Sequence, residues 1–153
     1  LKLEQVERAV RWTAEAGMSA KGFFMVGHPG ETRETLKKTM DFAKRLPLSD
    51  ITVTALTPLP GSRLHDVAHM YGEFDEDWGK MNLLDVVFVP RGLTKAEIVR
   101  HRRKMLRGFY LRPKIIGSYL GRILCNPRLL PGVLKGFSAF LRAVFGRGGE
   151  KKA

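Results

Sequence analysis

Four places in this chain combine residue types and spacing that could do chemistry. Gly27-His28-Pro29-Gly30, followed by Glu31, reads by itself as an ordinary strand-to-helix turn, since Gly and Pro punctuate loops everywhere. As a phosphate cradle it fails, because it lacks both the Lys-Ser/Thr of a Walker loop and the glycine spacing of a dinucleotide fold. His65 and His69 stand four apart, so a helix would place them on one face as metal ligands can be. No Glu follows His65 and no third ligand is evident, so a structural or surface role is expected and no metal ligand is assigned. Asp75, Glu76 and Asp77 could exchange protons, but carboxylates clustered in a loop are ordinarily just solvated. Trp78 beside them reads as a packing anchor beneath that loop. Cys125 is the single cysteine, which permits neither an intrachain disulfide nor a thiolate cluster and fits a reducing compartment. Its apolar and basic neighbours suggest a buried structural thiol. None of these groups is assigned a catalytic role.

Charge separates the chain into two parts. The net charge is +12 over 153 residues, yet residues 1–90 carry −2 and residues 91–153 carry +14. The basic character belongs to the C-terminal part and reads either as a contact for something anionic or as a solvated face. No apolar run reaches the ~20 residues of a membrane span, and no segment of these residues reads as a signal peptide. Leu1 already lies inside a helical pattern, so the expectation is a piece of a larger fold.

The elements that must position these residues are set by periodicity. Leu3, Val6, Val10 and Ala14 predict an amphipathic helix stopped by Gly17. Ala20 to Val26 is a short aromatic and apolar run predicting a buried strand. Thr32 is placed to cap a helix with Leu36, Met40, Ala43 and Leu46 as its apolar stripe, closed by Pro47. Asp50 leads into a β-branched strand over residues 51–56. Helix, strand, helix, strand is the repeat of an α/β fold with parallel strands. The Pro/Gly loop 57–62 comes next, then a short helix over residues 63–71 and an acidic loop from Glu73 to Trp78. Val86 to Val89 reads as one more strand or an extended edge. Thr94-Lys95-Ala96-Glu97 is a capping box opening a basic helix to about Tyr110. Pro113, Pro127 and Pro131 divide the amphipathic tail into short helices. Val133, Phe137, Phe140, Leu141, Val144 and Phe145 continue its apolar pattern, and residues 148–153 are expected to be disordered.

Three of these motifs, in this order, resemble one family. Gly22-Phe23-Phe24-Met25-Val26-Gly27-His28-Pro29-Gly30-Glu31-Thr32 is similar to the fifth strand and turn of a radical S-adenosylmethionine (radical SAM) barrel. Thr57-Pro58-Leu59-Pro60-Gly61-Ser62 resembles that family's exit from the sixth strand. Phe88-Val89-Pro90-Arg91-Gly92-Leu93-Thr94, with Phe109-Tyr110-Leu111-Arg112-Pro113, resembles its cobalamin-binding branch. The resemblance covers most of residues 1–115.

It implies an α/β fold: the C-terminal part of a (β/α)6 partial barrel over residues 1–90, then a mainly helical basic extension over residues 91–147. It also implies SAM and a [4Fe–4S] cluster whose reduction cleaves SAM to a 5′-deoxyadenosyl radical, with cobalamin and methyl transfer in that branch. Carried over, Phe24, Met25, Val26 and Gly27 would lie against the SAM adenine, with Gly30 allowing the tight turn. Leu56, Thr57 and Pro58 would add contacts at the same end. The cluster's C-x3-C-x2-C motif and the cobalamin domain would lie upstream in the same polypeptide, so this chain alone would not cleave SAM. His28 stands where the family usually has Leu or Phe and receives no role. The expected substrate is a small or lipid-like molecule and the expected location the cytoplasm. Residues 114–147 fit attachment to the anionic inner face of a membrane. Two other readings are a non-enzymatic basic module docking on such a surface, and a radical SAM enzyme modifying RNA through the helix at residues 95–110. Nucleic acid ranks behind the membrane because no zinc finger, RNP motif or regular aromatic interleaving accompanies the charge.

Overall fold

The computed structural model describes residues 2–83, 85–133 and 135–136. Helix α1 (Leu3–Glu15) leads to strand β1 (Lys21–Val26), helix α2 (Arg33–Arg45) and strand β2 (Asp50–Ala55). The strands pair in parallel, as the alternation of helix and strand predicts, and the register sets Phe24 opposite Val53 and Val26 opposite Ala55. Helix α3 (Arg63–Tyr71) runs directly into strand β3 (Gly72–Phe74), which pairs antiparallel with β4 (Phe88–Pro90). Helices α4 (Lys95–Tyr110) and α5 (Pro113–Cys125) complete the order. The fold is thus mixed α/β, and among the described residues the parallel sheet has two strands.

One face of that sheet is covered. Val26 from β1 and Ile51, Val53 and Ala55 from β2 pack against Leu36, Met40 and Ala43 of α2 and Ile98, Met105 and Phe109 of α4. The helices start where their sequences satisfy free N–H groups. Thr32 accepts from the Thr35 amide at 3.2 Å, and Thr94 from the Glu97 amide at 3.3 Å, while the Glu97 carboxylate accepts from the Thr94 amide at 2.9 Å. Arg33 Nε also donates to Glu97 at 2.6 Å, tying the starts of α2 and α4 together. That bond and the one from Thr94 hold the Glu97 carboxyl at about 2, well below the usual range. At the other end of α4, the Tyr110 hydroxyl donates to the Asp50 carboxylate, with the Ile51 carbonyl oxygen also within reach at 2.8 Å. Burial, with the Asp50 carboxylate alongside, pushes the Tyr110 hydroxyl pKa upward.

The structure corrects several expectations. Strand β1 is not buried on both faces: Phe23 is 77% and Met25 40% exposed, because the helices cover only the side of Phe24 and Val26. Glu73 and Phe74 belong to β3 rather than a loop, and β4 begins at Phe88, with Val86 and Val87 buried ahead of it. Trp78 anchors nothing; it sits in a 3-10 turn, 75% exposed. Asp77 caps that turn, and Lys80 pairs with both Asp75 and Asp77, so two of the three acidic side chains are tied down locally. Cys125 is exposed at the end of α5, not buried. The division of the tail at its prolines is as expected: Pro113 opens α5, Pro127 opens a 3-10 turn and Pro131 lies in the first turn of helical residues that begin at Leu130, where a missing N–H is harmless. The apolar positions expected at Phe137, Phe140, Leu141, Val144 and Phe145, and the tail at 148–153, lie outside the described residues. No helix among the described residues is long and apolar enough to cross a membrane.

Candidate functional site

Strands β1 and β2 end side by side, and both expected site segments leave the sheet at that edge. The ladder extends one bond beyond the strands, from the Leu56 amide to the Val26 carbonyl at 2.8 Å. Gly27 then turns the chain with φ of +90°. The space around its missing Cβ is ordinary, the nearest atom being Ile98 Cδ1 at 3.7 Å, so the positive φ rather than crowding is what favours glycine there. Gly30 is likewise at φ +75°.

The residue that fixes this turn is Glu31, which sequence reasoning left without a role. Its carboxylate is buried at 8% exposure and accepts hydrogen bonds from the Gly27 amide and from the His28 amide at 3.2 Å. Its own amide donates to the His28 carbonyl at 3.0 Å, closing residues 27–31 into one hydrogen-bonded unit. Four residues separate carboxylate from amide, and the two glycines allow the fold-back; that spacing was the available signal. His28 itself is exposed and takes no part through its ring.

On β2 the exit is held from the other side. Leu56, Thr57 and Pro58 are buried, the Thr57 hydroxyl donating to the Asn82 carbonyl at 3.2 Å. The Ala55 amide donates to the Leu83 carbonyl at 3.1 Å, so residues 82–83 cross the end of β2. Leu56 packs with Ala68 and Phe88, with Leu64 and Phe74 alongside. The motif at residues 88–94 therefore has a packing reason of its own: Phe88, Pro90 and Leu93 are buried, and Gly92 turns at φ +88°.

Pleating divides the expected site residues. Phe24 and Val26 point to the helix-covered side, while Met25 lies on the open side with Phe23, Thr52 and Thr54. At the far end of this open face Lys21 pairs with Asp50 at 2.9 Å, and its ammonium sits 5.4 Å from the Phe23 ring centre. A ligand on the open face would meet the side chain of Met25 and, at the exit, the backbone around Gly27; Phe24 and Val26 could reach it only through their backbone. Phe23, Thr52 and Thr54 are the open-face residues that sequence reasoning missed. Period-2 alternation places them, but only once the covered side is known.

Behind the turn, the ring of His101 on α4 is half-buried with Nε2 lacking a partner. Desolvation by burial lowers its pKa, opposed by a backbone hydrogen bond at Leu36 and the nearby Glu31 charge. His65, the first of the suspected histidine pair, stacks edge-on against Phe74 at 5.4 Å and takes a packing role. Among the described residues no group of three or more His, Cys, Asp or Glu is arranged to hold a metal ion.

No family model matches the chain. It is similar to an uncharacterised methyltransferase of Pyrococcus horikoshii, 36% identical over 109 residues that make up 71% of this chain and 24% of that protein. It is 28% identical over 145 residues to the anaerobic magnesium-protoporphyrin IX monomethyl ester cyclase of Cereibacter sphaeroides, covering 92% of this chain and 22% of that protein. Over 63 residues, 40% of this chain and 13% of the relative, it is 30% identical to the ribosomal protein uS12 methylthiotransferase of Alteromonas mediterranea. All three relatives are named as enzymes, and the chain spans about a quarter of the length of the first two.

Proposed function

We propose that this chain is the C-terminal part of a radical SAM enzyme of the cobalamin-binding branch, contributing one wall of a SAM and substrate cavity. The observation that carries this reading is the open face of β1 and β2, bordered by a rigid glycine turn at the carboxyl ends of two parallel strands. In α/β folds ligands bind at that edge. The similarity to a methyltransferase, a cyclase and a methylthiotransferase supports the same reading. The (β/α)6 barrel follows from it, with α2 as outer helix and the open face turned toward the barrel interior.

The residues present fit an adenosyl group. Phe23 and Met25 offer apolar surface, Thr52 and Thr54 hydroxyls lie beside them, and the Glu31-held backbone supplies a fixed edge. When bound, SAM supplies the methyl or adenosyl group that the reaction uses. The residues do not fit a [4Fe–4S] cluster, which requires several thiolates: the chain has one cysteine, exposed at the end of α5. The cluster ligands and any cobalamin-binding domain belong, on this reading, to the upstream polypeptide. The substrate would be a small or lipid-like molecule.

The intact polypeptide, purified without oxygen, tests this. It is expected to carry iron and sulfide and to release 5′-deoxyadenosine from SAM on reduction. Met25→Asp should weaken SAM binding at least about tenfold while leaving iron content unchanged, since a carboxylate there desolvates against an apolar ligand face. An intact protein without iron, or one that binds SAM equally well with Asp at position 25, refutes the assignment.

A further inference from the structure

Helix α5 is held on one side and bare on the other. Ile115 is buried in the core, Tyr119 packs against that core, and Arg122 donates to the Ser19 hydroxyl at 3.1 Å. At 100° per residue these three share one side of the helix, and Pro113, Ile116, Gly117, Leu120 and Leu124 lie on the other. Ile116, Leu120 and Leu124 are 44%, 56% and 81% exposed. A Cβ built at Gly117 meets no atom within 4 Å. Aliphatic residues in a row beside a glycine notch, on a helix already fixed by its opposite side, make a seam of the kind that a second helix covers.

The chain itself carries a matching sequence. Helix α5 stops at Asn126, whose backbone leaves the helical region (φ −146°, ψ 87°), and Pro127–Leu129 form a 3-10 turn. Helical residues resume at Leu130. A helix-to-helix connection this short ordinarily joins antiparallel neighbours. Residues 137–145 lie outside the described residues, but their sequence holds Phe137, Phe140, Leu141 and Val144, at intervals of three, one and three. Read from its end toward its start, α5 holds Leu120, Gly117, Ile116 and Pro113 at the same intervals. Two helices running in opposite directions bring such mirrored positions to equal heights. Leu120 would then lie level with Phe137, Gly117 with Phe140, Ile116 with Leu141 and Pro113 with Val144. In that helix Arg142 would fall on the reverse side. The apolar pattern ends at Phe145, level with the start of α5, and Gly146, Arg147 and Gly148 follow.

We propose that residues 137–145 form a helix that folds back on α5 as an antiparallel hairpin, covering Ile116, Gly117 and Leu120. The Phe140 ring takes the Gly117 notch, where the missing side chain lets a bulky group approach the backbone. Tethering favours this occupant over a free one, because a short connection holds the segment at an effective concentration on the order of millimolar. A bilayer fits the seam less well, since Arg122 is turned to Ser19 and does not flank the exposed row. The inference does not depend on the chemistry proposed above.

Hydrogen exchange of the α5 peptide from Ile116 to Leu124, in the intact polypeptide, tests this. Phe137→Asp with Phe140→Asp should raise its exchange at least roughly tenfold, the loss of aliphatic burial at Ile116 and Leu120, while β1 and β2 keep their protection. Leu120→Ala and Phe137→Ala should each speed exchange, and the double variant should fall short of the product of the two effects, because both remove one shared contact. Gly117→Leu supplies a test of sign. On a bare helix face leucine improves helix propensity and slows exchange about fourfold; beneath Phe140 it crowds the ring and speeds exchange. Unchanged α5 exchange in the Asp pair, independent effects of Leu120→Ala and Phe137→Ala, or slower exchange in Gly117→Leu each overturns the proposal. Protection of α5 that grows with protein concentration overturns it in favour of a second copy. Protection that appears only with phosphatidylglycerol vesicles overturns it in favour of a bilayer.

Discussion

Replacing Glu31 by Ala removes the one side chain that holds the turn after β1. The Gly27 amide is buried and would be left without an acceptor, at a cost of about 2 kcal/mol within the usual range for an orphaned buried donor. The His28 amide belongs to an exposed residue and can turn to water, so its loss adds only about 0.5 kcal/mol. The sum, about 2.5 kcal/mol, corresponds to roughly 60-fold more frequent opening of residues 27–31. Hydrogen exchange of the peptide spanning Val26 to Thr32 in the intact protein reads this directly. Its protection should fall by about that factor, while α5, which follows the far end of α4 from the Ile98 that neighbours Gly27, should be unchanged. Glu31→Gln keeps an acceptor of the same size and should lose less than half as much. If the proposed site is right, SAM affinity falls in the same order, Ala worse than Gln, because the backbone edge is no longer fixed before the ligand arrives. An unchanged exchange rate in Glu31→Ala would refute the claim that this carboxylate organises the turn, whatever happens to binding.

Two further consequences can be measured in the same way. A Cβ added at Gly72 would fall 2.0 Å from the Val89 carbonyl oxygen, so Gly72→Ala should separate β3 from β4. It should cost about 3 kcal/mol or more, the upper end for overpacking against backbone, and collapse protection of the Asp75 amide, which donates to the Val87 carbonyl; retained protection would count against the pairing. His101 has a pKa lowered from 6.5 by burial, so below that pH the unfolded chain binds a proton that the folded one refuses. Protection of α4, corrected for intrinsic exchange, should therefore be constant above about pH 7 and decline as pH falls below 6.5; His101→Gln should flatten the decline.

The parts legible in the sequence were those with local causes. Thr32 and Thr94 cap helices because their hydroxyls reach amides three residues on, and Leu36, Met40 and Ala43 mark a buried stripe by spacing alone. Strand β3 was hidden because three residues, Gly72-Glu73-Phe74, carry no period; their partner is β4, fourteen residues away or more. Trp78 and Cys125 were misplaced by inferring burial from residue type, although neither has a neighbouring element to cover it. The site was half legible. The glycines announced the turn at residues 27–30, but the role of Glu31 depends on backbone closing over four residues. The division of Phe24 and Val26 from Phe23 and Met25 depends on which face the helices occupy.

The open faces of the two strands differ in a way that bears on the site. A strand with one solvated face ordinarily alternates apolar with polar residues, whereas a parallel strand covered on both sides is apolar throughout. Strand β2 has the first pattern, with Ile51, Val53 and Ala55 inward and Thr52 and Thr54 on the open side. Strand β1 has the second, since Phe23 and Met25 are as apolar as Phe24 and Val26. Covering Phe23 and Met25 would gain about 1–2 kcal/mol each from apolar area that now faces water. A cover for the open face is therefore favoured most over β1 and least over β2, where Thr52 offers a hydroxyl to a polar partner and Thr54 already donates to the Phe24 carbonyl at 3.3 Å. A ligand with an apolar ring and hydrogen-bonding edges meets both demands at once, and further strands beside β1 would meet the first. The proposed barrel cavity supplies the two together. A bare solvated sheet supplies neither, which is why the asymmetry between Phe23-Met25 and Thr52-Thr54 favours a binding wall over an idle surface.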